Sequence, residues 1–273
     1  MPEGPEVKTV ARTLACEMVG HELGELWHSH HRLRAAVDYS LLRRVENTVV
    51  DGVSAYGKVL FISVDQKPAI MAQLGMTGQL TVTSTKTPVL THTHLRWPLK
   101  DTGRELRYVD PRRFGLIAPC DEEQKEAIIN RLGPDPFLMT DNDYTSVIEA
   151  MRRSRRVIKD ILLDQSIIVG VGNIYASEAL FLAKINPSRA GSDISISEYQ
   201  GLIKAVVVVL TQALKNCGTT FSNYVDGSGK KGDNLAFLKV FQKDGEPCQE
   251  CRTPIIRIKQ AGRSTFYCHQ CQA

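Results

Sequence analysis

Hydrophobic residues near the start of the chain recur at three- and four-residue steps, the repeat of one helix face. The face consists of Val7, Val10, Ala11, Leu14 and Met18. Pro5 suits the first turn of a helix, and Gly20 is placed to end it. The pattern therefore predicts a helix over residues 3–19.

A different pattern follows over residues 21–118, where short apolar runs are divided by turn residues. Such spacing is typical of an antiparallel β-sandwich or barrel. The predicted strands are Val49–Val53, Val59–Val64, Ala69–Leu74, Gln79–Thr83, Leu95–Pro98 and Leu106–Val109.

The second half of the chain has helical periodicity. Residues 119–136 begin as a helix and end at Gly133-Pro134, and the polar, glycine-rich residues 222–234 predict a mobile loop. The other predicted helices are Tyr144–Met151, Val157–Leu163, Tyr175–Ala183 and Ile196–Lys215. We expect an α+β protein with three parts: a β-rich domain over 1–130, a helical domain over 131–236 and a cysteine module over 237–273.

Composition narrows the class of protein. With 273 residues, 42% of them hydrophobic and 23% charged, the chain can build two modest cores, which argues against bulk disorder. The net charge of +4 permits a polyanionic partner without requiring one. The sequence contains no apolar run of membrane-spanning length and no apolar signal core. We expect a monomer in the cytoplasm, at the nucleoid if the source is bacterial.

The seven cysteines fall into two groups. Cys16, Cys120 and Cys217 are scattered, and we expect them to be small buried apolar residues. The others form two C-x2-C pairs, whose spacing in a reducing compartment indicates metal rather than a disulfide. A hairpin between the pairs would bring four thiolates into one tetrahedron around a single structural Zn²⁺. The predicted ligands are Cys248, Cys251, Cys268 and Cys271.

The N-terminal residues Met1-Pro2-Glu3-Gly4-Pro5-Glu6 are, taken alone, a helix start. They also support definite chemistry if Met1 is removed. The pKa of an α-amine is about 8, so a fair fraction of the amine is neutral and nucleophilic at physiological pH. An amine that attacks a sugar C1′ forms an imine, and an adjacent carboxyl group can transfer protons.

Three further motifs each allow two interpretations. Gly170–Tyr175 is either a close turn between helices or a helix start whose amides bind phosphate. Asp110–Gly115 places an arginine beside a phenylalanine; the pair is either a pair of surface residues without a binding role or a contact to DNA. Arg152–Arg156 is either a solvated helix face or a basic patch that contacts the DNA backbone. Met76 either belongs to the hydrophobic core or is inserted between DNA bases.

In combination, these motifs resemble the family of formamidopyrimidine-DNA glycosylase and endonuclease VIII, and are closer to the former. The matches run nearly from end to end of the chain. They are MPEGPEV at 1–7, LGMTG at 74–78, DPRRFG at 110–115, LGPDP at 132–136, VGVGNIYASEALF at 169–181, GEPCQEC at 245–251 and RSTFYCHQCQ at 263–272.

The resemblance implies a β-sandwich with an N-terminal helix, a helix–two-turns–helix domain and a β-hairpin zinc finger, with double-stranded DNA as partner. It implies that Pro2 is the Schiff-base nucleophile, that Glu3 assists sugar opening and protonation, and that Glu6 supports the site. Lys58 matches the lysine of β-elimination, and Arg263 the arginine of phosphate binding and δ-elimination.

The resemblance also implies DNA contacts. Asn173 would bind the lesion's phosphate, and His92 would touch DNA. Met76, Arg112 and Phe114 would fill the gap left by the extruded base. Position 154, where a basic residue is expected, is serine, so we assign that contact to the neighbouring Arg155.

The function implied is a bifunctional glycosylase/lyase for oxidised purines, which cuts the strand by β,δ-elimination at oxidised-base or abasic sites. Gly4 and Gln73 depart from the purine-type pattern and favour oxidised-pyrimidine excision as the alternative. The segment 219–237, which should cap the extruded base, matches the family least. A non-catalytic, zinc-dependent DNA-binding protein is the alternative of another class, although binding alone does not need Pro2, Glu3 and Lys58.

Overall fold

The computed structural model describes residues 2–273, the side chain of Pro68 excepted. Two compact units divide the chain. The first contains the chain up to Asn130 together with Asn216–Asp233, and the second contains Arg131–Lys215 and Asn234–Ala273. Segment 216–233 therefore packs with the β-rich residues, whereas the predicted domains placed it with the helices. Among residues 2–273, no helix combines the length and apolar character that a membrane span requires.

The first unit is an N-terminal helix packed with two four-stranded antiparallel sheets. Helix α1 spans Gly4–Met18, and two shorter helices follow at Tyr39–Leu42 (α2) and Glu122–Ile129 (α3). The sheet orders are β1-β6-β7-β5 and β2-β3-β4-β8. The strands are Trp27–His28 (β1), Val50–Tyr56 (β2), Val59–Val64 (β3), Lys67–Gln73 (β4), Gln79–Ser84 (β5), Thr93–Leu99 (β6), Arg104–Val109 (β7) and Leu116–Pro119 (β8).

One hydrophobic core joins both sheets to α1. Leu14 of α1, Leu60 of β3 and Leu106 of β7 belong to the same buried cluster. The two sheets therefore form the predicted sandwich, closed on one side by the helix. The pattern of alternate burial is clearest in β5, where Leu80 and Val82 point into the core.

The second unit is helical and ends in a two-stranded hairpin. Two turns between α5 and α6 give the helix–two-turns–helix arrangement. The helices are Asp141–Arg152 (α4), Ile158–Leu162 (α5), Asn173–Leu182 (α6) and Ile196–Lys215 (α7), and the hairpin strands are Ile256–Gln260 (β9) and Arg263–Tyr267 (β10). Short 3-10 helices occupy Gly191–Asp193 and Asn234–Phe237. The predicted fold class is confirmed.

The expectation that the scattered cysteines are buried is wrong for two of them. Cys120 is buried, whereas Cys16 and Cys217 are exposed. Cys16 lies two residues from both Leu14 and Met18, so the helical repeat turns it away from the buried face. Cys217 lies in a turn with a positive φ of 56°.

Candidate functional site

The first turn of α1 buries two carboxylates. Glu3 and Glu6 are 2% and 1% exposed, and Pro2 beside them is also buried. The two glutamates form a capping box, in which Glu6 Oε2 accepts a hydrogen bond from the Glu3 amide at 2.8 Å. Pro5 occupies a first-turn position where an amide donor is not needed. Met1, whose removal the predicted chemistry requires, lies outside the described residues.

Segment 216–233 meets this turn through Glu6. The Thr219 amide donates to Glu6 Oε1 at 2.7 Å, so each carboxylate oxygen binds one backbone amide. Gly218 has a φ of +85°, and a Cβ at that position would lie 2.9 Å from Glu6 Cγ. Glycine therefore permits the close approach.

Tyr224 adds a second contact with α1, because its ring belongs to the same buried cluster as Leu14 and its hydroxyl lies 3.5 Å from the carbonyl of Glu6. Its hydroxyl donates to the carbonyl of Cys217 at 2.9 Å. Burial, reinforced by the charge of Glu6, raises the pKa of Tyr224, so the hydroxyl stays protonated and can donate. Farther along, the Gly227 amide donates to Thr13 Oγ1 at 2.7 Å. The predicted irregular segment thus has a defined set of hydrogen bonds to the helix; its predicted mobility stays a prediction.

Lys58 lies on the turn that joins β2 to β3. Tyr56 pairs with Val59 across that turn, and Lys58 is half-buried. Helix α1 packs against both strands of this hairpin. The same unit therefore holds Pro2, Glu3, Glu6 and Lys58.

Four predicted DNA contacts are exposed on loops at the strand ends of the first unit. Met76 and Phe114 are 43% and 47% exposed, and His92 and Arg112 are also exposed. The Arg112 guanidinium lies 4.6 Å from the centre of the Phe114 ring. Exposed apolar side chains are common on this chain, so exposure alone does not mark a binding site, and it is the proximity of Arg112 to Phe114 that sets this loop apart.

The loops that carry these side chains are packed together. Gly75 has a φ of +62°, and a Cβ there would lie 2.7 Å from the carbonyl carbon of Phe114. Only glycine fits at that position, and its neighbour Met76 is thereby held beside the loop of Arg112 and Phe114. Met76 is exposed, which agrees with the wedge interpretation rather than the core one.

In the second unit, Asn173 begins α6 directly after the N-cap Gly172. Its side-chain amide donates to the carbonyl of Ser264, next to Arg263 on β10. Lys159, which is 1% exposed, donates to the same carbonyl at 3.0 Å. The hairpin is therefore fixed to α5 and α6 where it carries the exposed Arg263.

The structure confirms the turn in Gly170–Tyr175, whereas phosphate binding by the amides of the helix start stays a prediction. The glycines form the turn between α5 and α6, and the same turn starts α6. Arg155 is exposed in the segment between α4 and α5.

The four C-terminal cysteines converge. Their sulfur atoms all lie within 4.8 Å of one another. Two sulfur pairs are separated by 3.9 Å and 3.4 Å, close to the roughly 3.8 Å edge of a tetrahedron with ~2.3 Å zinc–sulfur bonds. Cys248 and Cys268 are buried in the core of the second unit. The four predicted ligands are thus close enough together to bind one metal ion.

Sequence reasoning missed three residues that support these sites: Thr219, Tyr224 and Lys159. Thr219 and Tyr224 act on α1 from more than two hundred positions away, and no local pattern indicates such a contact. Lys159 left no distinct signal, because a second charged residue, Asp160, follows it directly in α5.

Comparison with family models finds three matches in chain order. Residues 1–117 match the N-terminal domain of formamidopyrimidine-DNA glycosylase, and 132–224 match its H2TH domain. Residues 245–273 match the zinc finger found in FPG and IleRS.

Curated proteins and solved structures give the same likeness. A formamidopyrimidine-DNA glycosylase of Herpetosiphon aurantiacus is 40% identical over 285 residues, covering 100% of both chains. One of Desulforamulus reducens is 38% identical, covering 100% of this chain and 99% of its own. A Lactococcus lactis FPG mutant bound to Fapy-dG-containing DNA has a TM-score of 0.91 at 30% identity, with 99% of each chain covered. Lactococcus lactis Fpg bound to abasic-site DNA has a TM-score of 0.90 at the same identity and coverage.

Proposed function

Since the chain belongs to the formamidopyrimidine-DNA glycosylase family, an enzyme family of DNA repair, we propose that it excises oxidised purines. The substrates are 8-oxoguanine and formamidopyrimidine in duplex DNA, and the strand is then cut by β,δ-elimination. Related structures bound to Fapy-dG and abasic-site DNA support this substrate class.

The first step is assigned to the first turn of α1. With Met1 removed, the Pro2 nitrogen attacks C1′ of the damaged nucleotide, and the bond from C1′ to the base breaks with its electron pair leaving on the base. Glu3 transfers the protons that open the sugar ring and yield the imine. Glu6 holds this turn in place through the amides of Glu3 and Thr219.

The imine cation then acts as an electron sink for strand cleavage. Loss of a C2′ proton expels the 3′ phosphate, and a second elimination expels the 5′ phosphate. We assign proton transfer in β-elimination to Lys58, and phosphate binding and δ-elimination to Arg263. The exposure of Arg263 at the end of β10 supports its contact with a phosphate.

The remaining residues hold the DNA. Met76, Arg112 and Phe114 fill the gap left by the extruded base, which offsets part of the few kcal/mol that extrusion costs. Asn173, at the start of α6, binds the lesion's phosphate, as helix N-termini do. His92 and Arg155 contact the backbone.

One structural Zn²⁺ completes the hairpin. The sulfur distances given above fit a tetrahedral ion with four thiolate ligands, which contributes folding energy and no chemistry. The ligands are Cys248, Cys251, Cys268 and Cys271. Bound by these cysteines, the ion would hold the turns at the base of the hairpin and so keep Arg263 in place.

The observation that carries the proposal is the burial of Glu3 and Glu6 beside Pro2. Burying charged carboxylates at a helix start is costly unless they are hydrogen-bonded, and a structural helix cap does not need it. Glu6 has a structural role in any case, because it accepts hydrogen bonds from the amides of Glu3 and Thr219. A DNA-binding protein without catalysis would have no need for the second buried carboxyl group, that of Glu3, beside Pro2.

Borohydride trapping on defined duplexes tests the proposal. One duplex carries 8-oxoguanine opposite cytosine, and the other carries thymine glycol opposite adenine. We expect a covalent adduct with the first. Trapping only on thymine glycol would establish oxidised-pyrimidine excision instead, and binding without any trapping would establish a non-catalytic protein.

A further inference from the structure

The carboxylate of Asp110 lies fully buried between the two loops that carry Met76, Arg112 and Phe114. We propose that Asp110 is a positioning residue, which sets these three side chains in place to fill the gap left by the extruded base. The inference rests on the proposed function of this loop pair and adds the residue that organises it.

Oxygen Oδ1 of Asp110 joins one loop to the other. It accepts a hydrogen bond from Thr77 Oγ1 at 2.5 Å, and Thr77 directly follows Met76. It also accepts from the amide of Arg112 at 3.3 Å. The Arg112 amide donates to Thr77 Oγ1 as well, also at 3.3 Å. Asp110 Oδ1 and Thr77 Oγ1 together therefore couple the position of Met76 to that of Arg112.

Oxygen Oδ2 fixes the far end of the second loop. It accepts from the Gly115 amide at 2.9 Å, directly after Phe114, and from the Tyr108 hydroxyl at 3.0 Å. Burial and the neighbouring Asp110 charge raise the pKa of Tyr108, so its hydroxyl remains a donor. Asp110 therefore holds the loop of Arg112 and Phe114 at both ends.

The backbone of Asp110 extends the link to His92. The Asp110 amide donates to the His92 carbonyl at 3.0 Å. The Asp110 carbonyl in turn lies 3.0 Å from Nε2 of the buried His94. Arg112 and His92 are thus hydrogen-bonded to Asp110 through their backbones, and Met76 and Phe114 each directly precede a residue that is hydrogen-bonded to its carboxylate.

Because the Asp110 carboxylate accepts hydrogen bonds from four donors, replacing it is a stringent test of the positioning role. In Asp110→Asn the side-chain volume is retained, but one oxygen becomes an amide that donates. Because both sides of the carboxylate receive a backbone amide, the new donor always faces an N–H that cannot accept. The amide group therefore removes an acceptor from the Gly115 amide if it replaces Oδ2, or from Thr77 and Arg112 if it replaces Oδ1, where the Arg112 amide retains only Thr77 Oγ1.

The experiment compares two reactions of Asp110→Asn. One is single-turnover excision from a duplex with 8-oxoguanine opposite cytosine, where a gap must be filled. The other is cleavage of a single-stranded oligonucleotide with a preformed abasic site, where no base is extruded. We expect excision to fall at least about tenfold, since extrusion is left uncompensated. Single-strand cleavage should stay within about threefold, since the nucleophile is untouched.

A fluorescent base reports extrusion directly. With 2-aminopurine next to the lesion, wild-type protein should unstack the probe, and Asp110→Asn should lower that signal in parallel with excision. The matched control is Asp101→Asn, the same substitution at an exposed turn of the same unit. It should match wild type in all three measurements.

Two outcomes would overturn the proposal: full excision by Asp110→Asn, or an equal loss in both reactions with the 2-aminopurine signal intact. If that variant fails to fold, Thr77→Val and Tyr108→Phe each remove one donor, and both must shift the ratio of the two reactions the same way. If wild-type protein excises no base, the proposed function fails, and the 2-aminopurine signal still decides the positioning role.

Discussion

The backbone amide of Thr219 donates to Glu6 Oε1 across 213 positions of sequence. The other oxygen of that carboxylate accepts from the Glu3 amide, so one side chain closes the start of α1 and ties segment 216–233 to it. A carboxylate accepts at both oxygens, which no other side chain of this size can do. The start of the helix and this distant segment are therefore expected to lose stability together.

Glu6→Gln should lower the free energy of unfolding by about 1–3 kcal/mol, because its amide nitrogen faces a buried backbone donor. Urea denaturation measures the change. Glu17→Gln is the control on the same helix, since Glu17 pairs with Arg104 in a partly exposed position and should cost about 1 kcal/mol or less. Equal losses of unfolding free energy in the two variants would show that the buried Glu6 contacts stabilise the protein no more than the partly exposed Glu17–Arg104 pair.

Removal of a single zinc ligand should empty the site. Cys248→Ser or Cys268→Ser is expected to release the metal and weaken DNA binding, because the ion is needed to fold the hairpin. Metal analysis of the purified protein gives the answer. Cys120→Ser, at a buried cysteine outside the cluster, should retain one metal per chain. Unchanged metal in the first pair of variants would refute the ligand assignment.

The stability that Glu198 contributes at the start of α7 should depend on pH. The Arg189 guanidinium and the Ser195 amide lower the pKa of Glu198 from 4.5 to about 2. A lowered pKa stabilises the fold above the ordinary value, and this contribution is lost as the pH falls toward 2.

Glu198→Gln should therefore lower the free energy of unfolding by about 1 kcal/mol near pH 7 and by roughly half as much near pH 3, where the carboxyl group is still mostly ionised in the fold. Denaturant titrations at the two pH values test this. Glu149→Gln, at an exposed pair on α4, should change stability little at either pH. If Glu198→Gln lowered the free energy of unfolding more at acid pH than near pH 7, the lowered pKa of Glu198 could not be the cause.

Helices were the most predictable part of the fold, because the apolar repeat of a long helix is a local signal. The prediction Ile196–Lys215 coincides with α7, and residues 3–19 contain α1. The two-residue strand Trp27–His28 and the short helix Tyr39–Leu42 were missed, since segments this short have no repeat to detect.

The site was predictable only where its residues lie in compact motifs. Pro2, Glu3 and the four cysteines stand close together in sequence with distinctive spacing. Asp110 and Thr219 were not singled out, because their importance lies in hydrogen bonds to residues that folding brings near. Burial of Cys16 was predicted wrongly from the general tendency of cysteine, although the apolar repeat of α1 already places this residue off the buried face.

The most direct test of the central claim is to locate the bond between protein and DNA. After borohydride trapping on abasic DNA, the adduct is digested and the peptide that carries the nucleotide is sequenced by mass spectrometry. The account predicts attachment at the α-nitrogen of Pro2, in chains that lack Met1 and not in chains that retain it. Attachment at Lys58, or equal trapping by chains that retain Met1, would contradict it.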